Sequence, residues 1–200
     1  MRRISLVLLL LPGLMPAQVV TDPLYYPNLH ARFNAYIFRT YTDPQRMAWL
    51  LVDSARDHWS QAPLEWDRSA QSYGYRVASG WGRRIVRNTA QFGFEALLNE
   101  DTRYRPCPSH EFRKRIYYAV SRSVIAWHPD GSIGPAYGRI AAGVVGAAAS
   151  STWHPQSIGA GALLGGVADS ALDRAGNNLL AEFTPDLKNF GKATWNWIKK

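Results

Sequence analysis

Apolar residues along this chain recur at helical rather than strand spacing. Alternating β-branched runs are missing, and the valines sit singly among Ala, Gly and Arg. Helix start signals recur instead. Asp43-Pro44 supplies an N-cap followed by proline at the first helical position, and opens a segment running to about Gln61. Met47, Leu50, Leu51, Ser54 and His58 share one face of it and Trp49, Val52 and Trp59 another, so burial on both sides is expected. After a linker at Pro63–Trp66, a second helix is predicted from about Asp67 to Asn99. Tyr73, Val77, Trp81, Ile85, Phe92 and Ala96 lie near one stripe of it. The proline-bearing stretch Glu100–Ser109 reads as a loop. Ser109 is placed to cap a helix carrying Phe112, Ile116, Ala119, Val120, Val124 and Trp127, which the turn His128-Pro129-Asp130-Gly131 ends.

The next two segments, Pro135–Ser151 and Ile158 to about Glu182, are dominated by Gly and Ala. Each interior glycine costs a helix about 1 kcal/mol relative to alanine, so a run of them needs compensation. Small residues every fourth position supply it by letting helices approach closely. Gly138, Ala142 and Gly146 are therefore expected to face the Ala162–Gly166–Ser170 row of the next helix. The pair would form a tight hairpin joined by Thr152-Trp153-His154-Pro155. Thr184-Pro185 would cap a separate C-terminal helix. The fold class predicted is an all-α, compact bundle of about six helices containing a closely packed Gly/Ala-rich hairpin.

The first residues change the picture of location. Met1-Arg2-Arg3, an apolar run to Met15 and then Pro16-Ala17 match a signal peptide, with cleavage expected after Ala17. The run is too short to span a bilayer, which takes about 20 apolar residues. The domain reading is thus a signal peptide at 1–17 and one helical domain at 18–200. The formal charge of +8 stays positive without Arg2 and Arg3. In an exported protein that favours an anionic lipid or polysaccharide surface over nucleic acid. The single cysteine, Cys107, lies between Pro106 and Pro108 and cannot form an internal disulfide.

Catalytic motifs are not found. Ser132 lacks the first glycine of a nucleophile elbow. His110-Glu111 is followed by Lys114 where a zinc helix needs its second histidine. No metal or cofactor is expected. Asp53 with Asp57, and Asp169 with Asp173, are carboxylate pairs at i, i+4, expected to be solvated or, for the second, paired with Arg139 or Arg174 across the hairpin. Arg113-Lys114-Arg115 sits in the first turns of a helix, where the dipole disfavours cations, so an acidic partner is expected nearby. The densest polar cluster is Glu100-Asp101-Thr102-Arg103-Tyr104. With Glu65, Glu95, His128 and His154 it makes up the candidate polar site. At the C-terminus Trp195, Trp197, Lys199 and Lys200 end an amphipathic helix with Leu187, Phe190, Thr194 and Ile198 on one side. That pattern suits a membrane surface, although docking on the bundle is the favoured expectation.

A set of markers also resembles a known family. Pro63-x-Glu65-Trp66, Tyr73-Gly74-x-Arg76, Gly82 with Arg84, Asn88-Thr89, Phe92-Gly93 and Glu100-Asp101-x-Arg103-Tyr104 occur in its order. Gly138-x-Ile140-Ala141-Ala142-Gly143, Trp153-x-Pro155, Asn177-Asn178 and Glu182-Phe183-x-Pro185-Asp186 follow. Over about residues 30–190 the chain resembles an uncharacterised family of exported bacterial proteins with Gly-rich helices. Ser69, Gln71 and Ser72 stand where that family has a glycine-rich run. The resemblance implies export to the periplasm or the outer-membrane periphery, and no activity or substrate. The function expected is therefore a non-enzymatic envelope protein meeting a membrane surface or a protein partner. The rival is a hydrolase or transferase using Glu65, Glu95, Glu100 or Asp101 with His128 or His154.

Overall fold

The computed structural model describes residues 26–153 and 159–198. Among them are six α-helices, one π-helical turn and one two-stranded sheet. Helix α1 (Leu29–Ile37) starts where the Asn28 side chain accepts from the Ala31 amide at 2.8 Å. The π-helical turn Phe38–Thr42 follows, and Asp43 then caps α2 (Pro44–Ser60) by accepting from the Gln45 and Arg46 amides. Ser69 caps α3 (Ala70–Leu97) in the same way, through the Ser72 amide. These starts follow the rule that short oxygen-bearing side chains satisfy a helix's first N–H groups.

Helix α4 (Phe112–Ser121) is shorter than the sequence predicts. The Val124–Trp127 stretch instead pairs as a strand. β1 (Ile125–Trp127) runs antiparallel to β2 (Ile133–Pro135), with Ala126 opposite Gly134. His128-Pro129-Asp130-Gly131 therefore turns a hairpin rather than ending a helix. Gly131 adopts φ 81° there, which glycine tolerates without strain. Asp101 extends the ladder by bridging to Trp127. Helix α5 (Tyr137–Ser150) and the long α6 (Ala160–Ile198) complete the chain.

Helix α6 does not stop at Thr184-Pro185; Pro185 lies inside it. A proline in a helix interior removes one hydrogen bond and crowds the preceding turn. Here nearby carbonyls find other donors. Leu180 O accepts the Thr184 hydroxyl at 2.5 Å, and Glu182 O accepts from Arg115 Nη2 at 2.8 Å.

Packing places α5 between α3 and α6, with α2 and α1 on α3 and α4 on α6. The glycine ladder of α5 faces α3 rather than α6. A Cβ on Gly138 would stand 3.0 Å from the Glu95 nitrogen, and one on Gly146 3.0 Å from the Arg87 Cβ. The α5–α6 contact is made one residue further round, by Gly143 against Val167 and by Gly166 against Ala147. The Gly/Ala pair is thus closely packed, through a different row than the four-residue repeat suggests. The hairpin's connection is described only as far as Trp153; His154 and Pro155 lie outside the described residues.

The interior is polar. On α3 the buried positions are Ser72, Arg76, Ser79, Asn88, Gln91 and Glu95, while Trp81 of the predicted stripe is exposed. The fully buried apolar side chains are mostly alanines: Ala119, Ala126, Ala136 and Ala142. Helix α2 is not buried on both sides, since Trp49, Val52 and Trp59 stand in solvent. Buried polar groups of this density persist only when hydrogen-bonded. Arg76 illustrates how, donating to the carbonyls of Ala62, Pro63, Trp66 and Asp67 and so fastening the α2–α3 connection.

Candidate functional site

The predicted polar residues separate into distinct places. Glu95, Glu100, Asp101 and Arg103 come together where α3 ends and α5 begins. Glu100 is wholly buried, and its two carboxylate oxygens accept from the Tyr137 amide at 3.0 Å and the Gly138 amide at 2.9 Å. Helix α5 has no capping side chain of its own, so this distant carboxylate serves as its cap. Asp101 accepts from Arg103 Nε at 3.0 Å and Arg105 Nη2 at 3.3 Å. Glu95 accepts from the Thr102 hydroxyl at 2.5 Å and from Gln91 Nε2. Each of these carboxylates therefore already holds a structural donor.

Tyr104 joins a second cluster. Its hydroxyl donates to Glu182 at 2.6 Å, where Arg115 Nε at 2.7 Å and the Cys107 amide at 3.0 Å also donate. Burial, and then the bond to Glu182, pushes the Tyr104 hydroxyl's pKa upward. Burial would raise the Glu182 carboxyl as well, but the bonds from Tyr104 and Arg115 outweigh it and hold the group below its ordinary range. Arg115 also meets Asp186 at 2.7 Å, and Lys114 meets Glu111 at 2.8 Å, so two of the basic trio have internal acidic partners. Glu65 is exposed in the α2–α3 connection, and His128 sits in the β-hairpin turn, one residue beyond Trp127, whose backbone bridges to Asp101. His154 lies outside the described residues. Among the described residues no group of His, Cys, Asp and Glu is arranged to hold a metal.

The C-terminal end of α6 does not dock. Every residue from 185 to 192 is exposed, with Leu187 at 57% and Phe190 at 73%, and Trp195 is 59% exposed. The expectation that Leu187 and Phe190 pack on the bundle is overturned. The side chains of Trp197 and Ile198, and all of Lys199 and Lys200, lie outside the described residues.

Sequence reasoning missed an arginine-lined cleft between the π-helical turn, α2, α3, α5 and α6. Arg39, Arg46, Arg87, Arg139 and Arg174 line it, with one carboxylate, Asp173. Asp173 pairs with Arg87 of α3 at 3.1 Å, not across the α5–α6 contact with Arg139 or Arg174. Arg139 is 3% exposed and donates to the carbonyls of Ser123, Arg122 and Thr102, yet its Nε–H has no acceptor. The Arg39 Nε–H is likewise shielded and unmatched. A buried donor left unpaired costs about 1–3 kcal/mol, and more when charged. Burial lowers the Arg139 pKa to about 10, and burial with the fields of Arg139, Arg39 and Arg46 depresses Arg174 further. The signal available in the sequence is Arg139 directly after Gly138 in the Gly/Ala-rich α5, where small residues leave room for a buried guanidinium. Comparison with protein-family models, curated proteins and solved structures finds no match for this chain.

Proposed function

We propose that this chain is a non-enzymatic cell-envelope protein, exported to the periplasm or the outer-membrane periphery, that rests against a membrane surface through the end of α6. The observation that carries this reading is the exposed apolar stripe beyond Pro185. Leu187, Phe190 and Trp195 stand in solvent on a helical segment that also bears Lys188 and Lys192. Such a helix lies in the headgroup plane, apolar face toward the acyl chains and ammonium groups toward phosphate. Among the described residues no helix is long and apolar enough to cross a membrane, so contact at the surface is the mode that fits. The bonded state of Glu95, Glu100 and Asp101 favours binding over the hydrolase or transferase reading. An envelope protein meeting the same stripe is the second reading, since an aromatic-rich exposed face also suits a partner.

Vesicles decide between them. Tryptophan fluorescence is expected to shift blue on adding anionic vesicles, less so with neutral ones. Deletion of residues 194–200 abolishes the shift. Recovery of the processed protein wholly in the soluble periplasmic fraction at low salt, with no vesicle response, sinks the surface reading.

A further inference from the structure

The arginine cleft holds more cation than the fold consumes. Arg46 pairs with Asp43 and Arg87 with Asp173, both at 3.1 Å. Among the described residues Arg39, Arg139 and Arg174 make no ion pair, although they lie close enough to depress one another's ionisation. Among the described residues, two of the four buried guanidinium N–H groups without acceptors, the Nε–H groups of Arg39 and Arg139, belong to this same cleft. Guanidinium groups gathered at this density repel each other, and the arrangement calls for a negatively charged acceptor.

We propose that this cleft binds a tetrahedral oxydianion, the phosphate monoester class of ligand. Charge favours two negative units over one, because among the described residues Arg39, Arg139 and Arg174 make no ion pair and meet Glu95, and for Arg139 also Glu100, only beyond ion-pair distance. Geometry favours a tetrahedral group over a planar carboxylate. The donors converge from separate elements, Arg39 from the π-helical turn, Arg139 from α5 and Arg174 from α6, and a carboxylate offers its two oxygens in one plane only. Among the lining residues Asp173 is the one carboxylate that competes for these donors.

Asp173 is then the anion that the cleft keeps for itself. The cleft encloses about 260 Å³ counted with its open mouth, but only about 10 Å³ of that takes the centre of a water. A phosphate head enters only if a side chain leaves. The Asp173 side chain is 47% exposed, so it can turn to solvent while the ligand takes over Arg87. Burial would raise its carboxyl, but Arg87, Arg46 and Arg174 keep it ionised, so it holds the place as a charge.

Titration calorimetry on the full chain tests this, with glycerol phosphate, sulfate and acetate at constant ionic strength. Glycerol phosphate is expected to bind about tenfold more weakly at about pH 5 than at about pH 8, since its second ionisation lies near 6. Sulfate, dianionic throughout, should bind equally at both. It thereby separates the ligand's titration from that of Asp43, Glu95 and Asp173, the carboxylates facing these arginines. Asp173→Asn should tighten binding about threefold to fivefold by removing the competitor, a gain that misfolding cannot imitate. Arg174→Gln, checked as folded by circular dichroism, should weaken it about tenfold or more. Phosphatidate vesicles supply the other source of the group. Competition between them and glycerol phosphate identifies a lipid headgroup as ligand, and vesicle indifference identifies a soluble one. Acetate binding as tightly as glycerol phosphate overturns the dianion assignment. Failure of both wild type and Asp173→Asn to bind any of the anions overturns the site.

Discussion

Glu100 accepts the backbone N–H of Gly138 at 2.9 Å across 38 residues of sequence, and so holds the start of α5 from the end of α3. Gly138 makes that approach feasible, because a Cβ there would stand 3.1 Å from the Glu100 Oε2. Removing the carboxylate strands two buried amides at the positive end of a helix. Glu100→Ala is expected to cost about 2–4 kcal/mol by urea denaturation. Glu100→Gln should cost less, since one amide oxygen still accepts one of the two donors. Equal stability of Glu100→Ala and wild type would show that α5 starts without this cap.

Two adjacent glycines of α6 should respond in opposite directions. A Cβ on Gly166 would meet the Ala147 Cβ at 2.6 Å and the Gly143 carbonyl oxygen at 3.0 Å, whereas Gly165 has nothing within 4 Å. Gly166→Ala is expected to lose about 1–3 kcal/mol through overpacking. Gly165→Ala should gain about 0.5–1 kcal/mol by lowering the freedom of the unfolded chain. Paired thermal melts read the sign directly, and a shift in the same direction for both would contradict the packing described.

The Glu182 cluster sets part of the acid limit of stability. Its carboxyl ionises in the folded state below the ordinary value of 4.5, because Tyr104 and Arg115 overcome the effect of burial. A depressed folded value means the contribution is fully present above about 4.5 and fades as pH falls through the folded value. Glu182→Gln is therefore expected to lose about 1–3 kcal/mol near neutral pH. The gap to wild type should close as the pH is lowered toward 3. A gap that stays constant with pH would mean that Glu182 does not titrate with folding.

Truncation at Ala193 tests how little the end of α6 owes to the bundle. Residues 185–192 are exposed throughout, and the contacts of α6 at Gly166, Asn178, Glu182 and Asp186, the last an ion pair with Arg115, all precede the cut. Loss of residues 194–200 is expected to change stability by no more than about 0.5 kcal/mol. A drop of several degrees in melting temperature would place this segment in the core after all.

The arrangement of helices was legible because capping and backbone preference are local. Asp43-Pro44 announces α2, the helical spacing from about Asp67 announces α3, and the fourfold glycine repeat announces close packing. Which face each helix buries was not legible. Hydrophobic periodicity assumes an apolar interior, and on α3 the interior side is Arg76, Asn88, Gln91 and Glu95. Their burial depends on carbonyls and hydroxyls supplied from far along the chain. Gly138 and Gly146 facing α3 while Gly143 faces α6 likewise follows from α5 lying between two helices, a fact no repeat encodes. The β-hairpin escaped because three-residue strands carry too little periodicity to compete with a helical reading of Val124 and Trp127. The loop Glu100–Tyr104 stood out from composition alone, but the opposite uses of its acids needed the fold. The arginine cleft shows the division most sharply. The sequence by itself determined that arginines are spread over five separate segments. Only the tertiary structure decided that they converge, because a charge cluster assembled from Arg39 to Arg174 exists in space and not in any window of the chain.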